Sequence, residues 1–200
     1  MDEQASARPQ RRPERADASR NRTMLLVAAA RLFALHGVAA VSMDDVAAAA
    51  GVGKGTLYRR FGDKSGLAMA VLDAKDRALA EAIGSGPPPL GPGAGPKTRL
   101  RAFIGAYAEY LERNLNLLTL AETASPGARY RSDAYARWRR HVEALLEAEG
   151  TPEPDVTAEL VLGLLDADLY AYLRIARGWP PARIADSMIG AADAMARRRR

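Results

Sequence analysis

The amino-acid sequence predicts an all-α protein: an N-terminal three-helix head with a helix-turn-helix, a connecting helix, and a C-terminal helical bundle. Three observations predict it. Apolar residues recur at i, i+3, i+4 and i+7 through most of the chain. Alanine, the best intrinsic helix former, supplies much of the 48% apolar content, while aromatics make up 6%. No segment alternates apolar and polar residues as a half-buried strand would.

Residues 1–19 are rich in Arg, Pro, Glu and Ala without apolar periodicity, and read as a flexible basic arm. The head is predicted over 20–66. Its first helix starts near Asn21, with Leu25, Ala28, Ala29, Leu32 and Phe33 on one stripe, and Gly37 suits a left-handed cap. Ser42 opens a short second helix, where its hydroxyl can accept from first-turn N–H groups. Asp45, three residues on, forms a weaker version of the capping box. Val46 with Ala49 or Ala50 is its expected buried face, and Gly51 ends it. Only Val52 separates that glycine from a third helical pattern over 53–61. Asp63 caps a fourth helix, whose stretch 67–83 is the connecting helix, with Leu67, Val71, Leu72, Ala78 and Leu79 at helical spacing.

Residues 84–96 (GSGPPPLGPGAGP) continue neither helix nor sheet and mark the boundary between head and body. In the body, 97–200, helices are expected over about 98–113, 115–124, 132–149 and 155–177. The 155–177 pattern carries Leu160, Val161, Leu164, Leu165, Leu169 and Tyr172, and helical spacing places Asp168 on that apolar stripe. A last helix enters through Pro180 and Pro181, where proline suits the first turn, and holds Ile184, Met188, Ile189 and Met195.

Charge is unevenly placed. Residues 1–66 hold eleven basic and seven acidic side chains, and Arg197–Arg200 form a run, so the stretch between is slightly acidic although the chain totals +5. A basic head on an acidic body suits a polyanion-binding module attached to something with another task. Cysteine is absent, which removes disulfides, thiolate nucleophiles and Cys-based zinc sites. Neither a membrane-spanning apolar run nor a signal-peptide core is visible, so a soluble cytoplasmic protein is expected. No Ser/His/Asp set, phosphate loop or HExxH motif occurs, and two histidines are too few for a metal cluster. An enzyme is not expected, and neither a cofactor nor a metal. Asp44 and Asp45 resemble paired catalytic carboxylates, but first-turn acids complementing the helix dipole suffice to explain them.

Two short helices joined by a tight glycine turn are the geometry of a helix-turn-helix, the first bracing on the DNA backbone and the second lying in the major groove. Residues 42–61 (SMDDVAAAAGVGKGTLYRRF) fit it. The second of these helices is too small to be a good core helix, and it carries Lys54, Thr56, Tyr58, Arg59 and Arg60, which are phosphate and base-edge ligands.

Here a specific resemblance appears. Residues 25–67 resemble the DNA-binding region of TetR-family regulators, the tetracycline-repressor type, in Ala29-Ala30 with Leu32-Phe33 and Gly37, the capped SMDDVA helix, AGVGKGTLYRRF, and Lys64. The match covers about a fifth of the chain but nearly all of the head. It implies a DNA-binding homodimer joined through the last two long helices of the body. That body usually holds a small-molecule pocket whose occupation reorients the heads and releases a palindromic DNA operator. Carried over residue by residue, it makes Ser42, Tyr58 and Lys64 phosphate contacts. Lys54 and Thr56 then meet bases and phosphates, with Gly55 and Arg59 completing the DNA-facing set. Leu57 and Phe61 belong to the head's core. Gly53 stands where the family usually has Ser, and Gly66 where an acid often completes the cap begun at Asp63.

The candidate effector contacts are Tyr107, Tyr110, Glu122, Thr123, Trp138, His141 and Asp168, with plain core packing as the competing reading of the aromatic stripe. Asp168 is a ligand contact, a dimer-interface partner or an arginine-paired acid. Arg8, Arg11, Arg12, Arg15, Arg20 and Arg22 either reach the minor groove or form a tail adding only non-specific affinity. The expected function is a ligand-responsive transcriptional repressor. The alternative is an architectural, sequence-tolerant DNA-binding protein without an effector.

Overall fold

The computed structural model describes the backbone of residues 11–124, 127 and 129–197, and the side chains of 17–121, 127 and 129–197. Among the described residues the elements are α1 (Arg11–His36), α2 (Met43–Ala50), α3 (Lys54–Phe61), α4 (Lys64–Ser85), α5 (Pro96–Ala124), α6 (Asp133–Glu149), α7 (Pro154–Leu164), α8 (Ala167–Ala171) and α9 (Pro181–Met195). A 3₁₀ turn at Arg129–Arg131 and a π-helical turn at Tyr172–Ala176 complete the set, and no strand occurs among them. The chain divides into two units, residues 1–71 and 72–200, with the boundary inside α4.

In the first unit, Leu25, Ala28, Ala29 and Phe33 of α1 are buried as their spacing requires, joined by Val38 and Val41 of the following turn. Among the described residues the helix already runs from Arg11, ahead of the predicted Asn21, so part of the expected arm is helical. Ala, Arg and Glu are strong helix formers that need no apolar stripe. Arg8 and the rest of residues 1–10 lie outside the described residues, as do residues 198–200. The buried face of α2 is Met43, Val46 and Ala47, and Ala49 is exposed.

In the second unit α5 packs against α6, α8 and α9, and α6 packs against α7. The predicted break near Arg113 does not occur. Asparagine is a weak helix former, but the buried Asn114 donates to the Tyr110 carbonyl at 2.8 Å and accepts from Lys75 Nζ, so tertiary partners override propensity. The reverse happens in the predicted 155–177 helix. Asp166 accepts from the Leu169 N–H at 2.9 Å as an N-cap and pairs with Arg129 at 3.1 Å, so α7 ends and α8 restarts there. The restart turns Ala167 and Tyr170 inward and leaves Asp168 exposed, contrary to its expected place on the apolar stripe. The arginine-paired acid is Asp166.

The Gly/Pro linker is a fixed set of turns. Arg99 reaches back from α5 to the carbonyls of Ile83 at 3.0 Å and Leu90 at 3.4 Å, closing the end of α4. Gly91 is required there, since a Cβ would meet the Gly86 carbonyl oxygen at 1.8 Å.

Candidate nucleic-acid interface

The site begins with a turn. The Gly51 N–H bonds to the Ala48 carbonyl and the Val52 N–H to the Ala47 carbonyl, with Gly51 left-handed at φ 64°. This pair of bonds closes α2 in a Schellman arrangement that only a residue tolerant of positive φ permits. Gly53 then opens α3, its carbonyl accepting from Thr56 and Leu57, with no side-chain cap.

Residues Leu57 and Phe61, four apart, take the inner face of α3. Leu57 is fully buried, and Phe61 is half-buried beneath the Arg22 guanidinium, 5.7 Å from the ring centroid. Lys54, Gly55, Tyr58 and Arg59 are exposed, Tyr58 by 47%, and Thr56 is half-buried with its hydroxyl 3.4 Å from Arg59 Nη2. A Cβ at Gly55 would meet nothing within 4 Å, so the backbone there is open to close approach. Arg60, expected among the DNA ligands, donates instead to the Ala18 carbonyl of α1 at 2.6 Å. Arg22 is occupied on Phe61 and Arg20 pairs with Asp17, so neither belongs to a free basic arm.

Ser42 forms a complete capping box with Asp45. Its hydroxyl accepts from the Asp45 N–H at 3.1 Å, and its own N–H donates to the carboxylate at 2.9 Å. The hydrogen bonds from Ser42 hold the Asp45 carboxyl below its usual range. Lys64 sits at the N-terminus of α4 and donates to the Ala39 carbonyl at 3.2 Å, beside Asp63, whose carboxylate accepts from Gly66 at 2.9 Å. The glycine at 66 has a steric cause: a Cβ there would meet the Phe61 carbonyl oxygen at 2.0 Å. One polar residue was read only in part. Asp44 stays on the first turn of α2 as expected and in addition binds Lys54 Nζ across the turn. The signal was present as an acid on the first turn of one helix and a lysine on the first turn of the next.

In the body, Tyr107, Tyr110 and Trp138 are buried and join Phe103 and His141 in one cluster, with centroids 5.4 to 6.3 Å apart. Burial lowers the His141 pKa to about 4, keeping the ring neutral, and its Nε2 and the Nε of Arg137 are buried without a hydrogen-bond partner among the described residues. Beside the cluster lies a group not foreseen, Asp76 of α4. It is 8% exposed, accepts a hydrogen bond from Tyr110, and is pushed by burial to a pKa of about 6. The side chains of Glu122 and Thr123 lie outside the described residues. Asp168 is exposed and apart from the cluster's buried stripe. A cleft of about 330 Å³ opens elsewhere, among Gly105, Glu109 and Glu112 of α5, Tyr170 of α8 and Ala182 of α9.

A tight turn, a capped bracing helix and a short helix with an outward polar face define a helix-turn-helix module of the kind that reads duplex DNA. Residues 25–71 match the family model described as bacterial regulatory proteins, tetR family. Over 104 residues the chain is 33% identical to the HTH-type transcriptional activator FasR of Mycolicibacterium smegmatis, a match covering 52% of this chain and 46% of that protein. The chain spans less than half the length of the curated relatives it matches. Among solved structures, a TetR-family regulator from Pectobacterium atrosepticum superposes with a TM-score of 0.66 at 26% identity, covering 90% of this chain and 94% of that one. NalD of Pseudomonas aeruginosa, a secondary repressor of a multidrug efflux pump, shares the fold with a TM-score of 0.57 at 23% identity, covering 90% of this chain and 96% of that one. Residues 25–71 are thus similar to the DNA-binding region of the tetR family of bacterial regulatory proteins, and the rest of the chain shares the fold of solved regulators.

Proposed function

We propose that the chain binds a palindromic DNA operator as a two-fold homodimer and represses transcription until a small molecule occupies its body. The observation that carries the reading is the outward polar face of α3, with Lys54, Tyr58 and Arg59 exposed over an inner face of Leu57 and Phe61. Ser42 and Lys64 flank it at two helix N-termini, where free N–H groups and the dipole attract phosphate. A dimer would present α3 twice, about 34–36 Å apart, and so read two half-sites. Support for a second copy comes from Leu160, Tyr172 and Ile175, large apolar residues that are 56%, 53% and 74% exposed. The effector site we assign to the aromatic cluster of Tyr107, Tyr110, Trp138 and His141, where the unpartnered nitrogens of Arg137 and His141 are available to a polar ligand group.

Footprinting on genomic fragments, followed by binding titrations on the protected sequence, tests the reading. Lys64→Ala and Tyr58→Phe are expected to weaken every duplex about equally, with Lys64→Ala reducing the salt slope by about one. Unchanged affinity and slope in both variants would contradict the assigned docking.

A further inference from the structure

The face that meets a polyanion carries one charge of the wrong sign that no helix cap explains, since Asp63 caps α4 through Gly66. Asp44 is exposed on the first turn of α2, where a carboxylate repels phosphate. Its neighbour is accounted for, because Asp45 closes the capping box with Ser42. Asp44 takes no part in that box. Its Oδ2 lies 2.5 Å from the Nζ of Lys54, ten residues on and across the Gly51–Val52–Gly53 turn, and the contact raises the lysine's pKa. Both side chains are more than half exposed, so the pair adds little to folding stability.

We propose that Asp44 is a specificity-determining residue that restrains Lys54 and cancels its charge toward the backbone, so that the lysine favours binding only where a base edge offers acceptors. The inference rests on the head being a DNA reader and adds how it discriminates. Non-specific affinity follows the number of phosphates neutralised, at a slope of about −0.9 per phosphate. A lysine already paired with a carboxylate contributes nothing to that number, and the carboxylate itself opposes random duplex. On the right sequence the balance changes. An ammonium has three N–H donors, and with one directed at Asp44 the remaining two match the O6 and N7 acceptors of guanine in the major groove. A side chain already held in place also loses less rotamer freedom on binding. Asp44 therefore weakens wrong complexes more than right ones.

The test uses the full chain, titrated against a duplex carrying its footprinted site and a scrambled duplex of the same length and composition, at several salt concentrations. Asp44→Asn is expected to tighten binding to the scrambled duplex about tenfold and steepen its salt slope by about one, with a smaller gain on the site. Discrimination then falls several-fold while the melting temperature stays within a degree or two. Asp44→Glu, which keeps the charge, is expected to hold discrimination near wild type. In a Lys54→Met background the Asp44→Asn effect on discrimination should vanish, since the two residues act as one unit. Unchanged discrimination and slope in Asp44→Asn, or the same change with Lys54 already removed, overturns the inference while leaving the DNA-reading head intact. A wild-type chain with no preference for any duplex overturns both.

Discussion

Asp76 and His141 titrate in opposite senses within the body. The Asp76 carboxyl, raised by burial to about 6, is costly to ionise in the fold. Below about pH 4 it is protonated folded or unfolded and costs nothing. As pH rises through 4 to 6 the unfolded chain releases the proton first, so stability falls, by at most about 3 kcal/mol at neutral pH. His141 is depressed to about 4, so stability falls when pH drops from 6.5 towards 4, an effect moderated by the ring's partial exposure. Urea unfolding of Asp76→Asn should show a gain of about 1–3 kcal/mol at pH 7.5 that disappears at pH 4, whereas His141→Gln should gain at pH 5 and not at pH 7.5. An equal Asp76→Asn gain at both pH values would show that ionisation is not the cause. Single-residue roles were unevenly legible. The outward set on α3 was read from its residue types and from the family resemblance, and Leu57 and Phe61 do take the inner face. Asp76 was not singled out in the sequence, since nothing local announces that Tyr110 will bond to it.

Elements were read best where their ends are chemically marked. Gly37, Gly51 and Gly150 close α1, α2 and α6 with positive φ, and Ser42 and Ser132 open α2 and α6 through side-chain caps. They were read worst where distant partners decide. Asn114 keeps α5 whole through Lys75, and Asp166 divides α7 from α8 through its cap and Arg129, neither of which a local window contains. Gly66 shows the same limit at the α3–α4 corner. In sequence it looked like a lost capping acid, but the Phe61 carbonyl leaves no space for any side chain. Gly66→Ala is expected to force that corner open and destabilise the head by about 1–3 kcal/mol. Thermal unfolding measures this, and an unchanged or raised midpoint would refute the steric account.

At the scale of the molecule, the sequence anticipated a head and a body, and the structure divides inside α4, twelve residues or more before the Gly/Pro boundary at 84 that composition indicated. Composition marks where a helix cannot continue. A structural unit ends where packing changes partners, which leaves no compositional trace. The apolar residues exposed on α7 and around the π-helical turn give the assembly prediction. Tyr172→Lys combined with Ile175→Lys should convert the proposed dimer to a monomer in sedimentation equilibrium and cost operator affinity at least tenfold, since paired half-site reading is lost. Retention of the dimer would place the interface elsewhere. The bond between Arg60 and the Ala18 carbonyl has a practical bearing on this scale as well. It braces α3 from outside the matched residues 25–71, so the early turns of α1 act as a splint. Recombinant versions trimmed to the matched head would lack it, and their affinities would describe a looser reader than the natural chain.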